Sequence, residues 1–169
     1  QTIVNKDYLV LRKSSAIDCV NLKLRQTQWQ SMGINGVPKV YSYKNYLFVG
    51  VGYNSDKSCA ILRSSVENLA WDTVYAFTRT DKHNPGFDSF GFGSLDNGDD
   101  VIVWKNRNWG AVGHVTDIFA FNLTADTSMW RNRDLDINSS VIPLKVADGT
   151  VFGLVRHRAF AIDLATGNL

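Results

Sequence analysis

The sequence predicts an all-β fold assembled from four-stranded antiparallel sheets, and three observations carry that prediction. Short apolar runs recur along the chain, bounded by turn residues such as Asp96-Asn-Gly98 and Asp148-Gly149. No long window keeps apolar positions three and four apart without a glycine, a proline or strict alternation interrupting it, so helices are not expected. The pattern also repeats: similar strands carry Ala16, Ala60, Ala120 and Ala161, spaced 44, 60 and 41 residues apart, and a tryptophan follows each of the first three, at Trp29, Trp71 and Trp130.

A unit of roughly 40 to 45 residues holding four strands is the size of one β-propeller blade. The expected organisation is a single domain, 1–169, with approximate repeats 1–35, 36–78, 79–135 and 136–169. In the first, strand 8–11 precedes the Ala16 strand, and Gly33, Gly36 and Pro38 mark the loop to the next repeat. The second alternates most clearly, with Lys44-Asn45 as a two-residue hairpin and Asn54-Ser-Asp-Lys57 as a polar turn before the Cys59 strand. The third turns at Asp96-Asn-Gly98 into strand 101–104, and the fourth turns at Asp148-Gly149 into the apolar pair 151–155 and 159–163. Two assemblies satisfy this reading, a closed four-bladed ring or a segment of a larger propeller whose open edges another chain covers.

The terminal stretch Ala161-Ile-Asp-Leu-Ala-Thr-Gly167 resembles the turn of the pyrroloquinoline-quinone-type propeller repeat. Ala16-Ile-Asp18 with Trp29 and Ala120-Phe-Asn122 with Trp130 look like degenerate copies of it. The second copy departs most, since Leu62 stands where the aspartate belongs, and Arg63 to Trp71 is as similar to the turn of sialidase-type repeats. The resemblance implies a propeller and no catalytic residue, because the repeat's shared positions are structural. Asp18 and Asp163 are accordingly expected to hold turns, and the recurring tryptophans to fill cores.

At 169 residues, 44% apolar and 12% aromatic, the chain is large enough for one domain with a real core. No apolar run approaches the roughly 18 to 20 residues of a membrane-spanning helix. The net charge is +2 and the basic pairs Arg131-Asn-Arg133 and Arg156-His-Arg158 are short, so a nucleic-acid partner is not expected. Cys19 and Cys59 lie in corresponding strands of neighbouring repeats, too far apart for a disulfide, and are expected as buried thiols. Two cysteines and the unspaced His83, His114 and His157 match no metal motif, and no phosphate loop or nucleophile elbow occurs, so neither metal nor cofactor is expected. Gln1 at the start is expected of a processed or excerpted chain, and the sequons at Asn122 and Asn138 fit an extracellular or cell-envelope setting.

Two stretches, 78–93 and 105–114, are longer than a hairpin needs and mix charge, glycine and aromatic residues, which reads as functional loops. Both are expected on one rim, where Trp109, His114, His83, Asp88 and Arg107 would form a ligand-binding site. Asp81, His83 and Asp88 with Asp96, Asp99 and Asp100 could also supply acid/base groups or, through the aspartates, oxygen ligands for calcium, but their spacing matches no calcium loop and turn roles are favoured. The expected function is a non-catalytic binding or scaffold module acting through propeller-face loops on a protein partner or on further propeller blades. A glycan-binding propeller using Trp109 and a fragment of a propeller enzyme, glycoside hydrolase or quinone-dependent dehydrogenase, are the alternatives, and homo-oligomers are compatible with either assembly.

Overall fold

The structure, a computed structural model, describes residues 2–4, 7–12, 16–32, 40–52, 58–78, 86–110, 113–133, 144–155 and 158–169; among these every regular element is a β-strand. The chain divides into two compact units, Gln1–Thr78 and Arg79–Leu169. In the first, β1 (Thr2–Val4), β2 (Tyr8–Arg12), β3 (Ala16–Asn21) and β4 (Gln26–Met32) form one sheet in chain order. A second follows in the same order from β5 (Val40–Tyr43), β6 (Tyr46–Gly52), β7 (Ser58–Ser65) and β8 (Asp72–Thr78). The second unit holds a third sheet of β9 (Gly86–Ser94), β10 (Asp100–Gly110), β11 (Gly113–Asn122) and β12 (Thr127–Asn132). It also holds a three-stranded fourth sheet of β13 (Lys145–Ala147), β14 (Thr150–Val155) and β15 (Arg158–Asp163).

Every neighbouring pair is antiparallel, and short turns set the registers. Tyr43 faces Tyr46 across Lys44-Asn45, the expected two-residue hairpin. Ala147 faces Thr150 across Asp148-Gly149, both at positive φ (48° and 66°), the twist that matches a two-residue hairpin to its strands. Gly98 takes φ 89° and donates its N–H to the Leu95 carbonyl at 2.9 Å. The interrepeat loop with Gly33, Gly36 and Pro38, and the turn at 54–57, lie outside the described residues.

Register corrects where the repeat is anchored. Asn21, Ser65, Asn122 and Asp163 pair with Tyr8, Tyr46, Val101 and Thr150. In each case the next residue, Leu22, Val66, Leu123 or Leu164, donates its N–H to the carbonyl just before that partner, on Asp7, Asn45, Asp100 or Gly149. The side-chain oxygens then cap the turn: Asn21 accepts from Leu24 N–H, Ser65 from Glu67, Asn122 from Thr124 and Ala125, and Asp163 from Thr166. The residues four further on in three sheets, Arg25, Asp126 and Gly167, all take positive φ. Asp18, expected to be the first turn's aspartate, lies within β3 and accepts from Gln30 Nε2 at 2.6 Å. Ala16 and Ala60 are therefore each three residues out of phase with Ala120 and Ala161, because an Asx or hydroxyl cap must sit at the strand end where it reaches turn amides.

The faces repeat as well. We call the face bearing Val10, Ile17 and Cys19 on the first sheet its front; it packs with Tyr8 against the second sheet's back, on Leu47, Val49, Val51 and Ala60. In the second unit the equivalent front, Val101, Val103, Ile118 and Ala120, packs against the fourth sheet's back at Val151, Phe160 and Ile162. Gly91 and Gly93 let this junction close, since a Cβ at Gly93 would meet Val146 at 2.5 Å. Trp130 seals it by lying on Gly167 and donating Nε1 to the Leu164 carbonyl at 2.8 Å. Trp71 is half-buried against the first unit's core, as expected of a recurring tryptophan; the side chain of Trp29 lies outside the described set. Neither Cys19 nor Cys59 is in a disulfide, and both are buried, with desolvation pushing the Cys19 thiol up to about 11.

Candidate functional site

The stretch expected as a loop over 105–114 belongs to a hairpin built from the longest of the described strands. β10 has 11 residues and β11 has 10, against 7 in β6, and their ladder continues without interruption from Val101 and Asn122 to Gly110 and Gly113. At about 3.4 Å per residue, the four extra residues carry the hairpin roughly 13 Å further than a strand of β6's length. The loop reading failed because Lys105-Asn-Arg-Asn is polar: β-pairing satisfies the backbone wherever a partner strand is present, whatever side chains the strand carries.

The other long stretch, 78–93, is corrected in part. β8 ends at Thr78 and β9 begins at Gly86, so 86–93 is strand rather than loop, while 79–85, with Asp81 and His83, lies outside the described residues. β9 pairs with β10 so that Gly86 faces Arg107 and Phe87 faces Asn106. Trp109 faces His114 near the hairpin tip. Asp88 falls where the register shifts between Trp104 and Asn106, a bulge in the β9–β10 pair. The backbone thus brings Arg107, Trp109, His114 and the start of β9 to one end of the third sheet, with Asp88 a residue pair inward.

Beneath this end lies a base of stacked rings and buried polar contacts. On the back face Trp104 stacks on Phe119, with centroids 5.4 Å apart and planes 8° from parallel, and the Arg131 guanidinium covers the other ring at 4.9 Å. Arg131 also binds the buried Asp117 through both Nε and Nη2. On the front, the buried Ser89 hydroxyl accepts the Leu144 N–H at 2.8 Å, tying β9 to the approach to β13. Lys105, also buried, is placed by register against Ile118. None of these polar contacts could be foreseen from spacing, since each joins residues brought together by strand pairing or by the packing of one sheet on another.

The acidic group at Asp96, Asp99 and Asp100 lies at the opposite end of β10, some 30 Å from the hairpin tip at strand rise. It does not join Asp88 in one site. Asp99 accepts from Asn97 and Asn122 side-chain amides at 3.0 and 2.8 Å, and Asp100 from the Ser94 hydroxyl at 2.9 Å, which are turn roles. Among the described residues no group of three His, Cys, Asp or Glu side chains is placed to hold a metal ion. Asn122, one of the two sequons, is buried with its amide donated to Asp99 and its carbonyl oxygen capping a turn, so it serves the fold; Asn138 lies outside the described residues.

No family model matches the chain, and no curated protein matches its sequence. Its fold, however, is that of a β-propeller. The β-propeller domain of Cps50 (Swd1) from Myceliophteria thermophila matches 89% of this chain, with TM-score 0.55 at 6% identity. A chain of the nidogen/laminin complex matches 94%, with TM-score 0.59 at 10% identity, and Saccharomyces cerevisiae Sqt1 matches 92%, with TM-score 0.57 at 11% identity. The match spans 47%, 55% and 40% of those chains, so this chain has about half their length. No described helix is long and apolar enough to cross a membrane.

Proposed function

We propose that this chain is a non-catalytic binding module whose contact surface is the projecting β10–β11 hairpin together with the start of β9, and whose ligand is a protein. The observation that carries the reading is the register: a hairpin several residues longer than its fold requires places Trp109 opposite His114 and Arg107 opposite Gly86 at one sheet end. Strands in a propeller are committed to the sheet, so length beyond the core has to be explained by what the projection meets. Tryptophan and arginine are the residue types that anchor protein interfaces most strongly. The hairpin rises from the Trp104–Phe119–Arg131 stack, which joins β10, β11 and β12 at its base.

The repeat type within the propeller class is, on this proposal, a degenerate pyrroloquinoline-quinone-like one. Its support is the turn Asp163-Leu-Ala-Thr-Gly167, in which the aspartate caps, the glycine takes φ 77° and a tryptophan covers the turn. Asn122 and Asn21 keep the same capping place in two other sheets.

The test is selection of binders from a displayed protein-fragment library, alongside a glycan array, with the wild type and the double variant Trp109→Ala, Asp88→Ala. Protein binders lost by the double variant, at an unchanged melting temperature, are the expected result. Binders retained by the double variant would overturn the site, and glycan signals without protein binders would overturn the ligand class.

A further inference from the structure

We infer that the partner of the projecting hairpin is an acidic, extended segment of another protein, seated on the hairpin's front face where it stands above the end of the fourth sheet. The inference rests on the hairpin being a protein-binding surface and adds the chemistry of what it binds. The third sheet's front packs on the fourth sheet's back through Val101, Val103, Ile118 and Ala120 against Val151, Phe160 and Ile162. Alternation along the unbroken β10–β11 ladder continues that front past the core to Arg107, Trp109, His114 and Thr116. On the fourth sheet the same alternation continues the back to the pair Val155 and Arg158. Counted from the capped strand ends at Asn122 and Asp163, that pair stands level with Asn106 and Asp117. β14 ends there, whereas β10 runs on to Gly110, about 13 Å further at strand rise. The two sheets thus make a step, with Arg107, Trp109 and His114 on the face of its wall and the exposed Arg158 on its ledge.

Charge in the second unit is sorted by end. Asp96, Asp99, Asp100, Asp126, Asp148 and Asp163 all lie in or beside the turns at the end away from the hairpin, and Lys145 is the one base near them among the described residues. The hairpin end carries Arg107, Arg133 and Arg158, while the acid Asp117 is met there by Arg131 and Lys105 is buried below the step. Asp88, at the β9 bulge, is the other described acid at this end. The two ends lie some 30 Å apart at strand rise, several times the screening length of about 8 Å in physiological salt, so the aspartates do not cancel the positive potential of the step. An anionic ligand is therefore favoured at the step. A nucleic acid is held through many phosphates and needs a stripe of bases to match, which three arginines at one sheet end do not supply, whereas a short acidic segment needs only a few. Trp109, between Arg107 and the hairpin tip, offers such a segment an apolar contact as well.

The experiment pans a displayed library of random dodecapeptides on the 169-residue chain, for the wild type, for Arg107→Glu with Arg158→Glu, and for Lys23→Glu with Lys145→Glu, which changes the net charge equally but away from the step. The wild type is expected to enrich peptides rich in Asp and Glu, whose affinity falls several-fold between about 50 and about 300 mM salt and at least about tenfold in the Arg107, Arg158 variant. The Lys23, Lys145 variant and Arg107→Lys with Arg158→Lys are expected to keep it. Arg158→Glu alone, at an exposed side chain, is expected to give part of the loss at an unchanged melting temperature. Enriched peptides without an acidic excess, still lost by Trp109→Ala with Asp88→Ala, would overturn the acidic partner and leave the hairpin as a binding surface, whereas no enrichment by the wild type would overturn both. An equal loss in the Lys23, Lys145 variant would overturn the step as the site. Binding of a single-stranded oligothymidine as tight as that of the peptides, and lost with Arg107 and Arg158, would overturn the inference in favour of a nucleic acid.

Discussion

Gly167 shows how much a single position can be asked to do. It takes φ 77°, and a Cβ built there would lie 2.6 Å from Trp130 Cδ2. Gly167→Val is therefore expected to combine backbone strain with overpacking and to cost at least about 2 kcal/mol. Gly98→Ala, at φ 89° but with open space around its Cβ, bears only the strain and is expected to cost about 1 kcal/mol. Denaturant melts of the two decide it, and equal losses would show that contact with Trp130 contributes nothing. Trp130→Ala removes the ring and its hydrogen bond to the Leu164 carbonyl and is expected to cost about 3 kcal/mol, whereas Trp130→Phe should lose about 1 kcal/mol for the bond alone.

Turns set the scale of the element, and the last one is the most tightly tied. Asp163 Oδ1 accepts both the Thr166 hydroxyl at 2.7 Å and the Thr166 N–H at 2.8 Å, and these bonds, the hydroxyl's first, hold its carboxyl below the ordinary carboxylate range. A folded-state pKa below the unfolded value stabilises fully above about 3.9 and fades as pH falls through the folded value. Thr166→Ala is thus expected to melt below the wild type at pH 7, with the gap closing in acid; a gap constant down to pH 2 would assign the effect to packing. Ser89→Ala leaves the Leu144 N–H without its acceptor in a buried place and is expected to cost about 1 to 3 kcal/mol by denaturant melt, loosening β13 from β9.

For the whole molecule the organising fact is that burial follows a front-to-back rule, with each unit's core lying between one sheet's front and the next sheet's back. Backbone amides of β10 and β11 over 101–103 and 118–120, central in their sheet and buried, are expected to exchange slowest in the second unit, while the edge strand β15 exchanges faster. Hydrogen exchange read by mass spectrometry on the native chain checks this. Equal protection of β15 and β10 would mean that β15 is not an edge in solution.

What the sequence determined by itself was local: alternation, turn residues and recurrence together named strands, hairpins at Lys44-Asn45 and Asp148-Gly149, the cap at Asp163 and the propeller class. Those signals are legible because period-two burial and positive φ constrain residue type position by position. The phase of the repeat was not legible, since Ala16-Ile-Asp18 imitates Ala161-Ile-Asp163 in letters while Asn21 does the work, and only the hydrogen bonds of the strand end tell them apart. Nor was the 105–114 hairpin, whose polar residues look like a loop until β9 and β11 flank them. Tertiary structure alone decided that Ser89 meets Leu144, that Trp130 covers Gly167, and that Phe152 and Leu154 stand open where their equivalents are sealed, because a strand's alternation states that one face is apolar and only its neighbours decide whether that face is covered.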